Sequence, residues 1–253
     1  MRQVFVLVLA MLAACEARVG VDTNNNVGGD DDDDIIDAEP GVTIDAPPDA
    51  PACFNGRVVF LSFEGEALTR AATSDARQNQ ASWMQIASGT APRYRTNDGD
   101  RATQIQAIVD GVRTQLSDFP ITVVTTRPVS GDYVMIVYGG TPQQVGSRFG
   151  GAVQELDCAD TATRNDVAWI ADNVGATQRI VNFSVGAIGF GLGLTATTVT
   201  TDCMCGWDNA CQANNAVACT LTPGIARDPN ANQRCAGVDA QDEVAVFRTA
   251  FCE

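Results

Sequence analysis

The amino-acid sequence predicts an α/β (α+β) domain with one mixed β-sheet over residues 53–253. Short apolar segments typical of buried strands alternate there with longer segments of helical periodicity. Six of the nine cysteines fall between residues 203 and 252, which predicts a disulfide-rich C-terminal segment. A chain of 253 residues is long enough for one such domain and an N-terminal extension, since a domain usually needs about 150 residues.

The first half of the domain contains one strand pattern and two helix patterns. Arg57–Phe63 is a β-branched and aromatic run and is predicted to be a buried strand. Residues 64–99 are polar and irregular, with a helix expected near Thr73–Ile86. Apolar residues then recur at helical spacing, which predicts an N-terminal amphipathic helix over Asp100–Ser117.

The second half of the domain contains three further strand patterns and two apolar helical segments. Ile121–Thr126, Tyr133–Tyr138 and Val167–Ala171 have the apolar, β-branched and aromatic composition of strands. Thr177–Thr195 is a long stretch with a single charged residue. Gln241–Phe251 has apolar residues on one helical face and predicts a terminal helix.

Residues 1–15 have the features of a secretory signal peptide, with one positive charge followed by an apolar run. The run is too short for a membrane span, which needs about 20 residues. Leu12–Cys15 resembles the lipobox of bacterial lipoproteins, in which the cysteine carries a lipid and becomes the mature N-terminus. The resemblance implies a membrane anchor on Cys15 and a place in the bacterial cell envelope, at the periplasmic face of the outer membrane or the cell surface. The alternative is an ordinary signal peptide with an incidental cysteine.

Residues 16–52 are predicted to be an acidic, disordered tether rich in proline and aspartate. They contain eleven acidic residues and one arginine, and such a segment cannot bury enough apolar surface to fold. The run Asp30–Asp34 is interpreted as part of this solvated spacer, and calcium binding is the alternative. The tether accounts for ten of the fifteen net negative charges.

The residue composition excludes several kinds of chemistry. The chain has no histidine, and all sixteen basic residues are arginine. There is therefore no Ser-His-Asp triad, Cys-His dyad or histidine-ligated metal site, and no lysine for a Schiff base or a P-loop. The net charge of −15 argues against a nucleic-acid partner, because phosphate binding needs a basic surface.

Eight cysteines remain once Cys15 is assigned to the anchor. An even number in an exported chain predicts up to four disulfides. A zinc site that includes Cys203 and Cys205 is the alternative, but the repeated C-x-x-C spacing of such sites is missing. The pairing is left open among Cys53, Cys158, Cys203, Cys205, Cys211, Cys219, Cys235 and Cys252.

The stretch Gly186–Ala196 is unusual because four of its eleven residues are glycine. Each glycine would weaken a helix by about 1 kcal/mol relative to alanine. One alternative is a phosphate-binding glycine loop, but the third glycine of that motif is missing and Leu194 stands at its position. A second alternative is a membrane span over Ile180–Val199, a segment that is uncharged but rich in polar and small residues. A buried core helix is the third alternative.

The same stretch resembles the active-site segment of metzincin zinc peptidases of the matrixin type. That family carries H-E-x-x-H-x-x-G-x-x-H on a helix and the bend that ends it, followed by a turn around a methionine. With Gly193 on the family glycine, the zinc histidines correspond to Gly186, Phe190 and Ala196, the catalytic glutamate to Ala187 and the methionine turn to Met204. The order of strands and helices upstream is also similar, so the resemblance extends from about Arg57 to Met204.

The resemblance implies a metzincin-like fold without hydrolysis. None of the four motif positions can bind zinc or accept a proton, so we expect no metal, no cofactor and a binding or structural role. In metzincins an edge strand beside the cleft pairs with the substrate backbone. By its place in the order of elements, the candidate peptide-binding edge consists of Val167, Ala168, Trp169, Ile170 and Ala171. The alternative is that Trp169 and Phe190 are ordinary core residues.

The sequence leaves two other functions open. The first is an active zinc peptidase with unconventional ligands such as Asp202, Asp208 or cysteines, and the second is a structural surface lipoprotein of unrelated fold.

The sequence also contains two weaker patterns. Glu64 and Glu66 follow the first strand and are either an acid/base pair or solvent-facing carboxylates. The second pattern is the aspartate and asparagine spacing of a calcium loop, at Asp228, Asn230, Asn232 and Asp239. The glycine that such a loop requires is missing, and Gln233 stands in its place.

Overall fold

A computed structural model describes residues 56–237 and 239–251. The predicted signal peptide, the predicted lipidation site at Cys15, the predicted tether, and the cysteines Cys53 and Cys252 lie outside the described residues. Within them the chain forms ten strands and four α-helices. The strands are β1 (Val58–Ser62), β2 (Glu66–Arg70), β3 (Gln80–Ala81), β4 (Ser88–Ala91), β5 (Thr122–Val124), β6 (Tyr133–Tyr138), β7 (Ala152–Val153), β8 (Val167–Ile170), β9 (Ile225–Ala226) and β10 (Ala240–Gln241). The helices are α1 (Arg101–Gln115), α2 (Pro142–Val145), α3 (Thr177–Gly191) and α4 (Glu243–Ala250).

The main sheet is mixed, as the sequence predicts, and has the strand order β5-β1-β6-β8-β7. The first four strands are mutually parallel, and β7 pairs antiparallel with β8. Every residue of β6 and β8 is buried. These two strands are continuous apolar runs because both faces of this part of the sheet are covered.

Two long helices pack against each other, and their contact is close. The amphipathic helix predicted over Asp100–Ser117 forms as α1, with Ile108, Val109 and Val112 buried. At Gly111 an added Cβ would lie 2.6 Å from Cγ2 of Val181 on α3, so a side chain there would force Val181 to shift.

A three-stranded sheet, in the order β3-β2-β4, follows the first strand. The helix expected near Thr73–Ile86 is wrong: this segment contains only a short 3₁₀ turn, Ala76–Gln78, before β3. The Asp75 side chain accepts a hydrogen bond from the Arg77 backbone, and Asn79 adopts a left-handed conformation with φ 55° that ends the turn. Such local bonds from aspartate compete with helix formation.

The C-terminal segment is disulfide-rich, as predicted. Three disulfides lie within the described residues, and they join Cys158 to Cys235, Cys203 to Cys219 and Cys205 to Cys211. The expected terminal helix is α4, which begins after β10. Among the described residues the helices are too short or too polar to span a bilayer. Most of the stretch Thr177–Thr195, with its single charged residue, forms α3, which has 15 residues.

Candidate functional site

The second half of α3 is packed too tightly for larger side chains at its glycines. Gly186, Ala187 and Phe190 are all buried on this helix. A Cβ at Gly186 would collide with the indole of Trp207 and would lie 2.7 Å from the carbonyl oxygen of Cys203. Trp207 therefore lies directly against the helix backbone at the first motif position.

Three aromatic rings meet on this side of α3. Phe190 stacks on Trp207 with ring centroids 5.5 Å apart and an interplanar angle of 30°. Phe183, about two turns earlier, meets Trp207 edge-on at 6.3 Å. Pairs of this geometry contribute about 0.5–1.5 kcal/mol beyond the area they bury, so the cluster fixes the position of the indole.

Trp207 is also held by a small covalent ring. The disulfide between Cys205 and Cys211 closes a loop with a sequence separation of 6. Inside it, the Asn209 side chain accepts hydrogen bonds from the backbone N–H groups of Gly206 and Cys211 at 3.0 and 3.2 Å. The loop is therefore braced internally, and Trp207 is 7% exposed.

The chain turns sharply where α3 ends. Gly193 has φ +86°, and a Cβ there would lie 2.6 Å from the Ala159 backbone nitrogen and 2.9 Å from the Asp157 carbonyl oxygen. The Leu194 N–H donates back to the Gly189 carbonyl at 2.9 Å. Only glycine combines this conformation with this close approach.

Met204 lies beneath the helix, next to the last motif position. Its side chain is fully buried, and a Cβ at Gly189 would be 2.8 Å from its sulfur. Ala196 is also fully buried, and the next residue, Thr197, forms a parallel bridge with Cys205. The structure thus brings the two ends of the predicted motif and the predicted methionine turn together.

A cleft of about 250 Å³ lies beside this cluster. Its lining includes the segment 150–154, which contains β7, and a set of aromatic residues that is called the aromatic wall. The aromatic wall is formed by Phe149, Phe183, Phe190 and Trp207. Arg179, Asp208 and Gln233 also line the cleft, so an apolar interior is bordered by a few polar side chains, which is the usual composition of a binding site.

The strand at the edge of the main sheet is β7, and the prediction that Val167–Ala171 forms this edge is wrong. Residues Val167–Ile170 form β8, which pairs with β6 on one side and β7 on the other, and Ala171 is fully buried. Trp169 is also fully buried, and its indole N–H donates to the Gly139 carbonyl at 2.7 Å. The two-residue strand β7, too short to be recognised by its pattern, adds beyond β8 and pairs with Trp169 and Ile170.

The outward side of β7 carries free peptide groups for pairing. Gly151 accepts a hydrogen bond from the Ala171 N–H at 2.8 Å, so Gly151 and Val153 face β8. Alternation along an antiparallel strand then turns the N–H and C=O of Ala152 away from β8. Among the described residues no strand lies on that side of β7.

A buried ion cluster anchors the end of this edge. Gln154 is 4% exposed, and its amide donates to Asp166 at 2.9 Å. The other oxygen of Asp166 lies 3.3 Å from the guanidinium of Arg57, which also pairs with Asp160 at 2.7 Å. Burial is the largest cause that raises the pKa of Asp166 to about 8, and the nearby carboxyl of Asp160 adds to the shift, while the Arg57 guanidinium opposes it.

A second buried cluster joins the methionine turn to α4. Asp202 is 1% exposed and Glu243 is fully buried. Thr222 bridges them: its hydroxyl donates to Asp202 and its N–H donates to Glu243, each at 2.9 Å. Burial, followed by the charge of Asp202, raises the pKa of Glu243 to about 8, so this pair holds a proton near neutral pH.

The side chains considered for metal binding are engaged elsewhere. No cluster of three or more histidine, cysteine or acidic residues suited to a metal occurs in residues 56–237 and 239–251. Cys203 and Cys205 are in separate disulfides. Asp208 accepts hydrogen bonds from the backbone of Gln233 and the side chain of Asn232.

The two weaker patterns also have structural explanations. In the loop with calcium-like spacing, Asp228 accepts hydrogen bonds from the Asn230 N–H at 2.8 Å and the Asn209 side chain at 2.7 Å. Glu64 pairs with two arginines, and the hydrogen bond from Arg101 is the main factor that lowers its pKa. Glu66 pairs with Arg127 at 2.8 Å, so the two glutamates are ion-paired rather than poised as an acid and a base.

Sequence reasoning does not find Trp207, Arg179 or β7, which form much of the cleft. The one available signal for Trp207 is its place inside a closely spaced cysteine pair, three residues after Met204. Neither a protein-family model nor a curated protein matches this chain.

Proposed function

We propose that this chain is a catalytically inactive, metzincin-like (matrixin-type) lipoprotein of the bacterial cell envelope whose cleft binds extended peptides. The observation that carries the proposal is the cleft itself, which lies between a strand edge with free peptide groups and a wall of aromatic rings. Strand addition uses both features, because the backbone supplies affinity and a pocket selects the side chain.

Four features of the described residues support the metzincin-like part of the proposal. The main sheet has a short antiparallel strand at one edge, next to the strand that leads into the motif helix. The helix ends in a bend at Gly193 with a positive φ. Met204 lies beneath the helix, and Ala196 lies next to the methionine turn.

The same residues support loss of hydrolysis. Zinc peptidase chemistry needs imidazole ligands and a carboxylate that takes a proton from the bound water. The motif positions carry Gly186, Ala187, Phe190 and Ala196, and the chain has no histidine to replace them. Trp207 lies against Gly186 and stacks on Phe190, so an aromatic ring occupies the space beside two of the three ligand positions.

Attachment to the membrane is the part of the proposal that rests on the sequence of residues 12–15. We expect a lipid on Cys15, because this cysteine directly follows two small residues at the end of the apolar run. Replacing it, as Cys15→Ala, is expected to abolish incorporation of radiolabelled palmitate in bacterial cells. Unchanged incorporation would instead place the lipid elsewhere or indicate an ordinary signal peptide.

Peptide binding at β7 is tested by removing one outward backbone donor. We expect Ala152→Pro to weaken the binding of peptides selected from an array by about tenfold, since the ligand loses one backbone hydrogen bond and meets a proline ring. The free energy of unfolding should change by less than about 1 kcal/mol, because this N–H has no partner in the sheet. Ala152→Ser, which keeps the N–H, is the matched control.

The same samples distinguish the alternative functions. The proposal predicts that bound peptides are recovered uncleaved and that elemental analysis finds no stoichiometric zinc in the protein. Cleaved peptides together with one zinc per chain would make it an active peptidase with unconventional ligands. If no peptide is retained by the full chain, a structural scaffold without a ligand is the better description.

A further inference from the structure

Two arginines lie over aromatic residues that line the cleft. Arg179 lines the cleft from the first turn of α3, and its guanidinium lies 5.1 Å from the ring centroid of Phe183. Arg148 lies 4.8 Å from the ring centroid of Phe149, which also lines the cleft. Both arginines are exposed, so two of the four aromatic residues of the wall each have an accessible positive charge over the ring.

These arginines stack on aromatic rings rather than pair with carboxylates. Within the described residues neither Arg148 nor Arg179 forms an ion pair, whereas seven other arginines do. The folded part of the chain is acidic, with a net charge of −6 over residues 53–253, so carboxylates are plentiful. A guanidinium stacked on a ring keeps its N–H groups in the plane of the fork, where they can bind a carboxylate with two hydrogen bonds.

The start of α3 adds to the positive potential. Its first turn contains no acidic residue, and its N-cap residue, Ala176, makes no side-chain hydrogen bond to the helix. The N-terminus of a helix carries about half a positive charge. The acidic residue that lines the cleft, Asp208, accepts hydrogen bonds through both of its oxygens, from Asn232 at 3.2 Å and Gln233 at 2.5 Å, so its charge is partly satisfied within its own loop.

We infer that the cleft selects an acidic peptide, in which an apolar side chain enters the aromatic pocket and flanking carboxylates pair with Arg148 and Arg179. The inference rests on the proposed peptide-binding function and adds the chemistry of the partner. The peptide backbone pairs with the outward N–H and C=O of Ala152. The apolar side chain lies between β7 and the stacked rings of Phe190 and Trp207.

A charge-matched set of peptides tests this selection on the full chain. The probes are a short peptide with one phenylalanine between aspartates, the same peptide with asparagines, and the same peptide with lysines. The intrinsic fluorescence of the protein reports binding, because Trp207 lines the cleft, whereas Trp83 and Trp169 do not and donate their indole N–H groups to backbone carbonyls. We expect the aspartate peptide to bind about tenfold more tightly than the asparagine peptide at low salt, and the lysine peptide to bind most weakly.

Charge-removing variants connect the selection to the two arginines. The double variant Arg148→Gln with Arg179→Gln should remove the preference for aspartate, and added salt should reduce it in the unmodified protein. Arg70→Gln, at an exposed arginine that does not line the cleft, should leave it unchanged. Equal binding of the aspartate and asparagine peptides would overturn the inference but keep the peptide-binding function, whereas no binding of any probe would overturn both.

Discussion

Replacing Gly193 by alanine is expected to lower the free energy of unfolding by about 3 kcal/mol or more. The residue has φ +86°, and an alanine Cβ would lie 2.6 Å from one backbone atom and 2.9 Å from another. These atoms belong to Asp157 and Ala159, next to the disulfide between Cys158 and Cys235. Because this backbone is fixed by a covalent bond, it cannot move away cheaply.

Urea unfolding of Gly193→Ala measures the effect, and Gly131→Ala is its matched control. Gly131 has φ +81° but no atom within 4 Å of its added Cβ. The control therefore contains the conformational cost alone, about 1–2 kcal/mol, and the difference between the variants isolates the close approach. Equal losses in both variants would contradict the tight bend after α3.

The stability of the protein is expected to fall as the pH rises from about 5 to about 8, in part because of Glu243. Its pKa is raised from 4.5 to about 8 in the folded state by burial and by Asp202. Between these values the folded state keeps a proton that the unfolded state has released, so each pH unit favours unfolding by up to about 1.4 kcal/mol. The contribution is fully present below the unfolded pKa and is lost as the pH approaches 8.

The variant Glu243→Gln should remove this part of the pH dependence. An amide cannot ionise, yet its oxygen can accept from the Thr222 N–H, as the carboxyl does at 2.9 Å. Denaturant unfolding at several pH values should give a shallower slope for this variant than for the unmodified protein. Asp166 adds its own slope in both proteins, and the exposed Glu155→Gln serves as the control. Identical slopes in the unmodified protein and Glu243→Gln would show that Glu243 ionises normally.

The elements that the sequence predicts correctly have strong local patterns. The amphipathic helix α1, the strands β1, β5, β6 and β8, and the terminal helix all have a periodicity or composition that packing reinforces. The short strands β2, β3, β4 and β7 have no such pattern. Their pairing is decided by distant partners, as when Ala152 and Val153 pair with Ile170 and Trp169 of β8.

The residues of the candidate site also divide into those that the sequence identifies and those that it does not. The motif alignment identifies Gly193 and Met204 because a bend and a turn favour particular residue types, which can be recognised in the sequence. The error at Val167–Ala171 arises because a strand's position in a sheet depends on what pairs beyond it. Trp207 is missed because its role depends on a three-dimensional contact with Gly186, which no spacing along the chain reveals.

The packing of Trp207 limits which side chains can stand at positions 186 and 190. A histidine introduced at Gly186 would find the indole already in its place, and one at Phe190 would remove a ring that stacks on that indole. Either substitution would therefore lower the free energy of unfolding, because the indole would have to move in the first case and would lose a ring contact in the second.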